Sequence, residues 1–304
     1  MADPIEVWPS LPLDEWRDTY ATLHMWTQIV GKTRLALAPM ENHWWQVPLY
    51  VTARGLTTSP MPYATRSVEV EFDFIDHRLD VRTSDGATRS LALGPRSVAD
   101  FYAEYVQTLG ALGIAVPLWP VPVEVEHPVP FLEDRQHASY EARHANRFWR
   151  ILIQADRLLK RFRGRFLGKC SPVHFFWGSF DLAVTRFSGR RAPEQPDADR
   201  MMREATSHEE ISAGFWPGSG AVQTAAFYAY AAPEPVGFAE AQVRPSTAYY
   251  KREISNFILP YDSVRAAAAP DQTVLEFLQS TYEAAATLAG WDREALERPA
   301  GEWP

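Results

Sequence analysis

The clearest hydrophobic pattern along the chain is a strict alternation over residues 67–74. Its apolar members are Val68, Val70, Phe72 and Phe74, and Glu69, Glu71 and Asp73 stand between them. Successive side chains of a strand point to opposite faces, so the pattern predicts a strand with one buried and one wet face. Such a strand is typical of an antiparallel sheet. Strands at 79–83 and 89–93 follow across short polar turns, and the three predict a β-meander.

Apolar residues spaced three and four apart predict four helices. The first extends from Asp14 to Gly31, the second starts at Ser97, and the others cover residues 138–163 and 273–289. The second and the last open with a hydroxyl residue followed three positions later by an acid, which is a capping pattern. Additional strands are predicted at 34–38, 44–53, 174–187, 225–231 and 249–260.

Three other stretches are predicted to be loops, linkers or edges. Residues 116–130 are rich in proline, which cannot donate to a sheet, so they predict an edge strand leading into a linker. Residues 189–200 are polar and predict an exposed loop. Residues 207–220 place aromatic side chains among glycines, which predicts a loop that can approach a ligand closely.

The order helix, strands, helix occurs twice in the chain. SVADF at residues 97–101 matches TVLEF at residues 273–277. The His-Trp-Trp of residues 43–45 matches the His-Phe-Phe-Trp of residues 174–177, and each precedes a Leu-x-Val-Thr segment. Matches that occur in the same order in both halves indicate an internal duplication.

We therefore predict an α+β fold of two tandem repeats, packed into one unit. Each repeat would be an antiparallel β-meander flanked by helices. The predicted repeats cover residues 11–130 and 131–291, and a polar C-terminal tail covers residues 292–304.

If the two matching histidines lie on strands, their spacing predicts the side to which they point. Even spacing places His43 with Leu49, and His174 with Leu182, on the interior side. Asp181 then falls on the opposite side, unless a bulge reverses the parity.

The composition limits the classes of partner. The chain has 304 residues, of which 46% are hydrophobic, so it can bury a sizeable core, and its 11 tryptophans can line a pocket as well as fill that core. A net charge of -8 argues against non-specific nucleic-acid binding, which depends on clustered Lys and Arg. Because no apolar run approaches the roughly 18 residues that span a bilayer, we expect no contact with a membrane.

Cysteine usage and the N-terminal residues predict a cytoplasmic location. Cys170 is the only cysteine, so no intrachain disulfide can form and a reducing compartment is expected. The first residues contain acids and prolines where a signal peptide needs a cationic start and an apolar run. A basic cluster over residues 160–169 is interpreted as the solvated end of a helix.

Residues 168–220 concentrate aromatic, histidine and carboxylate side chains among glycines. His208 or His174 would act as a general base, Glu209 would orient it, and hydrolysis is the default reaction. The alternative for His174, and for His43, is a buried neutral imidazole bonded to backbone carbonyls.

No motif assigns a metal or a cofactor. The run from His208 to Glu210 is not the HExxH of helical zinc sites, so no metal site is assigned, although His174, His208 and Glu209 together form a conceivable ligand set. The chain lacks GxxxxGK[ST], GxGxxG after a strand, and GxSxG, which argues against a nucleotide fold and an α/β-hydrolase elbow. The cofactor and the oligomeric state stay unknown.

We predict an aromatic pocket between the two repeats that binds a small molecule, in a protein that is an enzyme if the catalytic residues act as described. Polar points on an aromatic wall would come from Tyr228, Tyr230, Tyr249 and Tyr250, with Glu253 and Asn256, although strand packing alone also selects such tyrosines. The alternative is a non-enzymatic structural or interaction protein whose exposed Phe215 and Trp216 dock a partner. The predicted ligand-binding residues are His43, Trp44, Trp45, Trp177, Phe215 and Trp216.

Four segments resemble a bacterial family catalogued only as a domain of unknown function. They are HWWQVPLYVTARGL at residues 43–56, SPVHFFWGSFDL at 171–182, AGFWPG at 213–218 and FILPY at 257–261. The resemblance covers nearly the whole chain, from Leu11 to Trp291. It implies a soluble, intracellular bacterial protein that forms one integrated unit, and it supplies no activity, cofactor or catalytic residue.

Overall fold

The computed structural model describes residues 6–299, which form helices and two antiparallel sheets. This mixture confirms the α+β class. Within residues 6–299, no helix combines the length and the apolar composition that crossing a membrane requires. The helices are α1 (Leu13–Leu37), α2 (Val98–Ala111), α3 (Ala142–Gly164), α4 (Arg200–Ala205), α5 (Tyr261–Ala266), α6 (Pro270–Leu288) and α7 (Arg293–Leu296).

The first sheet is the predicted meander, extended by short strands. Its order is β1-β2-β4-β5-β6, and β3 also pairs with β4. The alternation at residues 67–74 is confirmed, because Val68, Val70 and Phe72 are buried on β4. The strands are β1 (Tyr50–Val51), β2 (Gly55–Thr57), β3 (Met61–Tyr63), β4 (Arg66–Asp73), β5 (Arg78–Thr83) and β6 (Thr88–Ala92).

The second sheet carries the segments that were predicted to hold the chemistry. Its order is β11-β12-β10-β9-β8-β7. One face packs on α3 and α6, and the opposite face is turned away from these helices. We call that opposite face the pocket face. The strands are β7 (His174–Phe176), β8 (Asp181–Arg191), β9 (His208–Trp216), β10 (Ala226–Ala232), β11 (Tyr249–Lys251) and β12 (Asn256–Pro260).

The two sheets meet at one pair of residues. The backbone N–H of Leu49 donates to the carbonyl of Phe175, and that of Phe175 donates to Leu49, both at 2.9 Å. Trp149 of α3 donates from its indole Nε1 to the carbonyl of Thr52, 3.1 Å away. A helix from the second half of the chain is therefore bonded to the first sheet.

The predicted end of the first helix at Gly31 is wrong, and so is the strand at 34–38. α1 continues to Leu37 because Gly31 serves close packing and does not terminate the helix. A Cβ at Gly31 would lie 2.3 Å from the indole ring of Trp177, so only glycine allows this approach. Arg34, in the last turn of α1, donates to the Ser59 hydroxyl at 2.9 Å.

Residues 116–130 form neither a strand nor a linker. Val123 exchanges two hydrogen bonds of 2.8 Å with the side chain of Gln28, which holds this irregular segment against α1. Of the predicted tail at 292–304, residues 292–299 include α7, and the carbonyl of Leu296 accepts from Leu167 at 2.7 Å. Residues 300–304 lie outside the described part of the chain.

The segment at 207–220 is mainly a central strand, which corrects the predicted glycine-rich loop. On β9, Ile211, Ala213 and Phe215 are buried in the main core, while Glu210 and Ser212 point to the pocket face. This is a period of two. The glycines had suggested a loop, but the alternation describes the segment correctly.

The predicted strand at 174–187 is in fact a hairpin, and this reverses the predicted parity. β7 and β8 are joined by a turn that includes Phe180 at φ +58°. His174 is the cross-strand partner of Ala183, so it lies on the pocket face and not with Leu182. His43 lies in a 3₁₀ turn, Asn42–Trp44, and not on a strand.

Candidate functional site

The pocket face of the second sheet forms one wall of a pocket of about 580 Å³, which we call the aromatic pocket. Each strand contributes every second side chain, because alternate residues share a face. The volume lies in the range typical of small-molecule sites. The wall comprises Asp181, Ala183, Thr185 and Phe187 of β8, Glu210, Ser212 and Trp216 of β9, Tyr228 and Tyr230 of β10, and Asn256 and Ile258 of β12.

Two short elements form the roof of the aromatic pocket. The 3₁₀ turn contributes His43 and Trp44, and α4 contributes Met201 and Met202. α4 begins where the predicted exposed loop at 189–200 ends, and the side chain of Asp199 caps it by accepting from the backbone N–H of Met202 at 2.8 Å. The roof is thus built from segments of both halves of the chain.

One end of the aromatic pocket is organised around Asp181. Its carboxylate accepts hydrogen bonds from the hydroxyls of Tyr228 and Ser179. Burial raises the pKa of Asp181, and these two hydrogen bonds oppose that shift. Gly214 makes the arrangement possible, since a Cβ there would lie 2.7 Å from the Tyr228 hydroxyl.

The other end is organised around Glu210. This residue is 6% exposed, and burial raises its pKa to about 8. The Tyr230 hydroxyl is hydrogen-bonded to both Glu210 and Ser212, and the Ser212 and Thr185 hydroxyls are 3.0 Å apart. At pH 7 the Glu210 carboxyl is mostly protonated, so it can donate a hydrogen bond or a proton.

The carboxyl groups of Asp181 and Glu210 lie at opposite ends of the aromatic pocket. Glu210 pairs with Phe187, which is six residues along β8 from Asp181. At about 3.4 Å per residue, their backbone positions are roughly 20 Å apart along the strand direction. This spacing does not match the paired carboxylates of glycoside hydrolases, which lie within about 10 Å of each other.

The imidazole of His43 has both ring nitrogens occupied. Nδ1 donates to the Ala205 carbonyl at 2.7 Å, and Nε2 accepts from the Lys169 ammonium at 2.6 Å. The ring is therefore neutral, with its proton on Nδ1. Burial lowers the pKa of His43, and the charge of Lys169 adds to this effect. His43 and Trp44 both have positive φ, at 57° and 60°, a backbone conformation that costs free energy and is often found at ligand sites.

His174 is on the pocket face of the second sheet but does not line the aromatic pocket. It is fully buried between the rings of Trp45 and Tyr50, whose centroids are 5.9 and 5.6 Å from its own. Neither ring nitrogen has a hydrogen-bond partner. Burial lowers the pKa of His174 to about 3, so the ring is neutral. The structure thus shows a buried neutral imidazole, without the predicted bonds to backbone carbonyls.

His208 and Glu209 point to opposite sides of β9. Glu209 forms an ion pair with Arg190 at 2.6 Å and accepts from Ser188 at 3.0 Å. His208 lies outside the aromatic pocket, where its Nδ1 is 3.1 Å from the Ser207 hydroxyl. Adjacent residues of a strand cannot face each other, so the predicted orientation of His208 by Glu209 is wrong.

The predicted ligand-binding residues divide into two groups. His43, Trp44, Trp45 and Trp216 line the aromatic pocket. Trp177 is buried and donates from Nε1 to the Val47 carbonyl at 2.8 Å, and Phe215 is 0% exposed in the core. The prediction of an exposed docking loop at Phe215 and Trp216 is wrong, because both residues end a central strand.

The pair of buried carboxyls was not predicted as part of the site. The alternation of Asp181 and Glu210 with the apolar residues Leu182 and Ile211 is a signal that each lies on the opposite face of its strand, but not that this face lines a pocket. Among residues 6–299, no group of three or more His, Cys, Asp or Glu side chains is arranged to hold a metal ion.

Comparison with known proteins identifies a family but no activity. No curated protein and no solved structure matches the chain. The model of a family of unknown function, DUF5996, matches residues 8–298. Because this match covers nearly all 304 residues, the chain belongs to DUF5996.

Proposed function

We propose that the protein binds a small molecule in the aromatic pocket. The observation that carries the proposal is a pocket of about 580 Å³ whose wall combines aromatic rings with buried carboxyl groups at both ends. Burying the carboxyl groups of Asp181 and Glu210 costs free energy. Buried ionisable groups of this kind are typical of binding and catalytic sites. Aromatic walls suit a flat apolar ligand body.

The polar groups suggest how the ligand is oriented. Protonated Glu210 donates a hydrogen bond, while Tyr230 and Ser212 beside it provide hydroxyls. The matching ligand group is a carbonyl or hydroxyl oxygen. A few such polar groups in an apolar pocket fix the orientation of a ligand.

Acid–base chemistry in this pocket falls to Glu210. Its pKa of about 8 lies near neutral pH, which suits proton transfer, whereas the ring nitrogens of His43 are already bonded. An enzyme built on this site would use protonated Glu210 as the general acid of a hydrolysis. The proton of Glu210 goes to the leaving group, water adds to the centre from which that group departs, and the proton that water loses returns to the Glu210 carboxylate. His174 is fully buried and does not line the pocket, so it takes no part in this proposal.

The binding proposal is tested with 1-naphthol, a flat aromatic probe with one hydroxyl. We expect the purified protein to bind it in isothermal titration calorimetry and Trp216→Ala to weaken binding about tenfold, since a lost aromatic contact costs about 1 kcal/mol or more. Trp119→Ala is the control, because Trp119 is 66% exposed and lies outside the pocket lining. Equal affinity in wild type and Trp216→Ala, or no binding by either, would contradict the proposal. Native mass spectrometry of the same preparation would detect a co-purified ligand.

We further propose that the two sheets arose from a duplicated helix–meander–helix unit in a bacterial, cytoplasmic protein. The supporting observations are the sequence matches between the halves and two antiparallel sheets that adjoin at Leu49 and Phe175. A reducing compartment suits the single cysteine, Cys170, whose pKa burial raises to about 11. The predicted boundary at residues 130 and 131 stays a prediction.

A further inference from the structure

A second cavity, of about 500 Å³, opens beside the roof of the aromatic pocket, and we call it the basic cleft. Four lysine and arginine side chains line it, together with two imidazoles. Glu204 is the one carboxylate among its lining residues, so the fixed charge of the lining is positive. The cations are Lys169, Arg191, Arg200 and Arg203, and the imidazoles are His43 and His208.

These cations lack carboxylate partners. Elsewhere in the protein arginines are commonly ion-paired, as in Arg82 with Glu71 and Arg190 with Glu209. Over residues 6–299, no carboxylate oxygen lies within 4 Å of a charged nitrogen of the four basic-cleft cations. Four cations without ion-pair partners, against the single carboxylate of Glu204, form a local positive field that attracts anions in a chain of net charge -8.

The basic cleft adjoins the aromatic pocket. His43 lines both cavities. The Lys169 ammonium, which donates to His43 Nε2, also lies 5.3 Å from the ring centre of Trp45 and 5.2 Å from that of Phe187. Both rings line the aromatic pocket. A ligand body stacked there would place a substituent of a few atoms within reach of the cations.

We propose that the basic cleft binds an anionic group, a phosphate or a carboxylate, carried by the ligand whose apolar body occupies the aromatic pocket. This inference rests on the proposed function and narrows the ligand to an anionic, flat apolar molecule. Guanidinium groups bind such anions through paired hydrogen bonds. The cationic surroundings also affect His208, because burial lowers its pKa and the charges of Lys169 and Arg191 lower it further.

Three probes separate the two cavities: 1-naphthol, 1-naphthyl phosphate and inorganic phosphate. We expect wild-type protein to bind 1-naphthyl phosphate at least tenfold more tightly than 1-naphthol or phosphate in calorimetry at low salt. The advantage of the phosphate ester should shrink as salt is raised, because salt screens exposed charges. The anion of 1-naphthaleneacetic acid, which carries a carboxylate, distinguishes a general anion site from one specific for phosphate, and either preference supports the cleft.

The double variant Arg191→Gln/Arg203→Gln tests the residues. We expect it to weaken 1-naphthyl phosphate binding by about ten- to a hundredfold, since each charge-assisted hydrogen bond contributes about 1.5 kcal/mol or more. Binding of 1-naphthol should change by less than about twofold. Arg190→Gln is the matched control, because Arg190 adjoins Arg191 but pairs with Glu209 and binds the Ala289 carbonyl at 2.7 Å.

Three different failures can be told apart. Equal affinity for 1-naphthol and its phosphate, unchanged in the double variant, overturns the anion site and leaves the proposed function standing. Failure of wild type to bind 1-naphthol and 1-naphthyl phosphate overturns both. Binding of phosphate alone, with no gain from the naphthyl group, overturns the link between the cavities.

Discussion

At the scale of single residues, Glu209 and Glu210 show how position on a strand decides the chemistry of identical side chains. Glu209 pairs with Arg190 at the protein surface, while Glu210 turns into the aromatic pocket. Because Glu210 is buried and has no cationic partner within residues 6–299, its carboxyl holds its proton more strongly than an ordinary Glu does. A neighbouring residue of the same type therefore serves as an internal control for the chemistry of the pocket.

The raised pKa of Glu210 predicts a pH dependence of stability. The pKa of Glu210 is about 8 in the folded protein and 4.5 for an ordinary Glu. The stabilisation that comes from this raised pKa is fully present below about pH 4.5 and is lost as the pH rises toward 8. The loss is roughly 1.4 kcal/mol per pH unit in that window. We therefore expect Glu210→Gln to gain a few kcal/mol of stability relative to wild type between pH 5 and pH 8, measured by guanidinium unfolding.

Glu209→Gln is the control for this experiment, because it removes a charge one residue away on the opposite face. Its stability should follow the pH trend of wild type. An equal difference between wild type and Glu210→Gln at pH 5 and pH 8 would show that the carboxyl is ionised in the folded protein.

The residues of the site were partly predictable. The density of aromatic residues singled out Trp44, Trp45 and Trp216, which line the aromatic pocket, because large rings line cavities wherever they are not fully buried. Asp181 and Glu210 were not identified, since their role depends on which face of the second sheet the helices cover. That choice is a long-range packing decision, and local sequence spacing does not encode it.

At the scale of secondary-structure elements, α2 and α4 differ in what their capping residues stabilise. The Ser97 hydroxyl accepts from the backbone N–H of Asp100 at 3.1 Å and caps α2, which packs into the core through residues such as Phe101. Asp199 caps α4, in which no residue is buried. α4 thus contributes to the roof of the aromatic pocket and little to the core.

We expect Asp199→Ala to weaken binding of 1-naphthol more than it lowers global stability. Loss of the cap frays α4 at a cost of about 1 kcal/mol to that helix and loosens the roof formed by Met201 and Met202. Calorimetry measures the affinity, and hydrogen exchange over residues 199–206 measures the fraying. Ser97→Ala is the matched control, with an expected loss of about 1 kcal/mol in unfolding free energy and unchanged affinity. Faster exchange in α4 with unchanged affinity would contradict a role for the roof.

Elements were predictable where their local signals agree. The capping pattern at Ser97 and the alternation in β4 both gave the observed elements, because propensity and burial favour the same structure there. Gly31 and Gly214 resemble helix stop and loop signals in the sequence. In the structure, Gly31 and Gly214 are sites of close packing against Trp177 and Tyr228, which are distant in sequence.

At the scale of the whole molecule, contacts between the halves of the chain are spread over several elements. Trp177 packs against Gly31 of α1 and donates to the carbonyl of Val47. Asn146 of α3 donates to the carbonyl of Phe74 at 2.9 Å. Because buried rings and backbone bonds cross between the halves, neither sheet can lose its structure without exposing the packing surface of the other.

We therefore expect the protein to unfold in one transition, and Gly31→Ala to shift that transition without splitting it. An alanine would favour the helix by about 1 kcal/mol, but its Cβ would lie 2.3 Å from the Trp177 indole, and overpacking costs typically 1–3 kcal/mol. Because this contact is far inside van der Waals distance, the clash should exceed the gain in helix propensity, and the midpoint should fall by a few degrees. Tryptophan fluorescence and far-UV circular dichroism should report the same midpoint. Gly110→Ala in α2 is the control, because a Cβ there meets no atom within 4 Å and should leave the midpoint unchanged or raise it. Two separate transitions in Gly31→Ala would show that the halves fold independently. The contact between α1 and Trp177 would then connect two halves that are each stable without it.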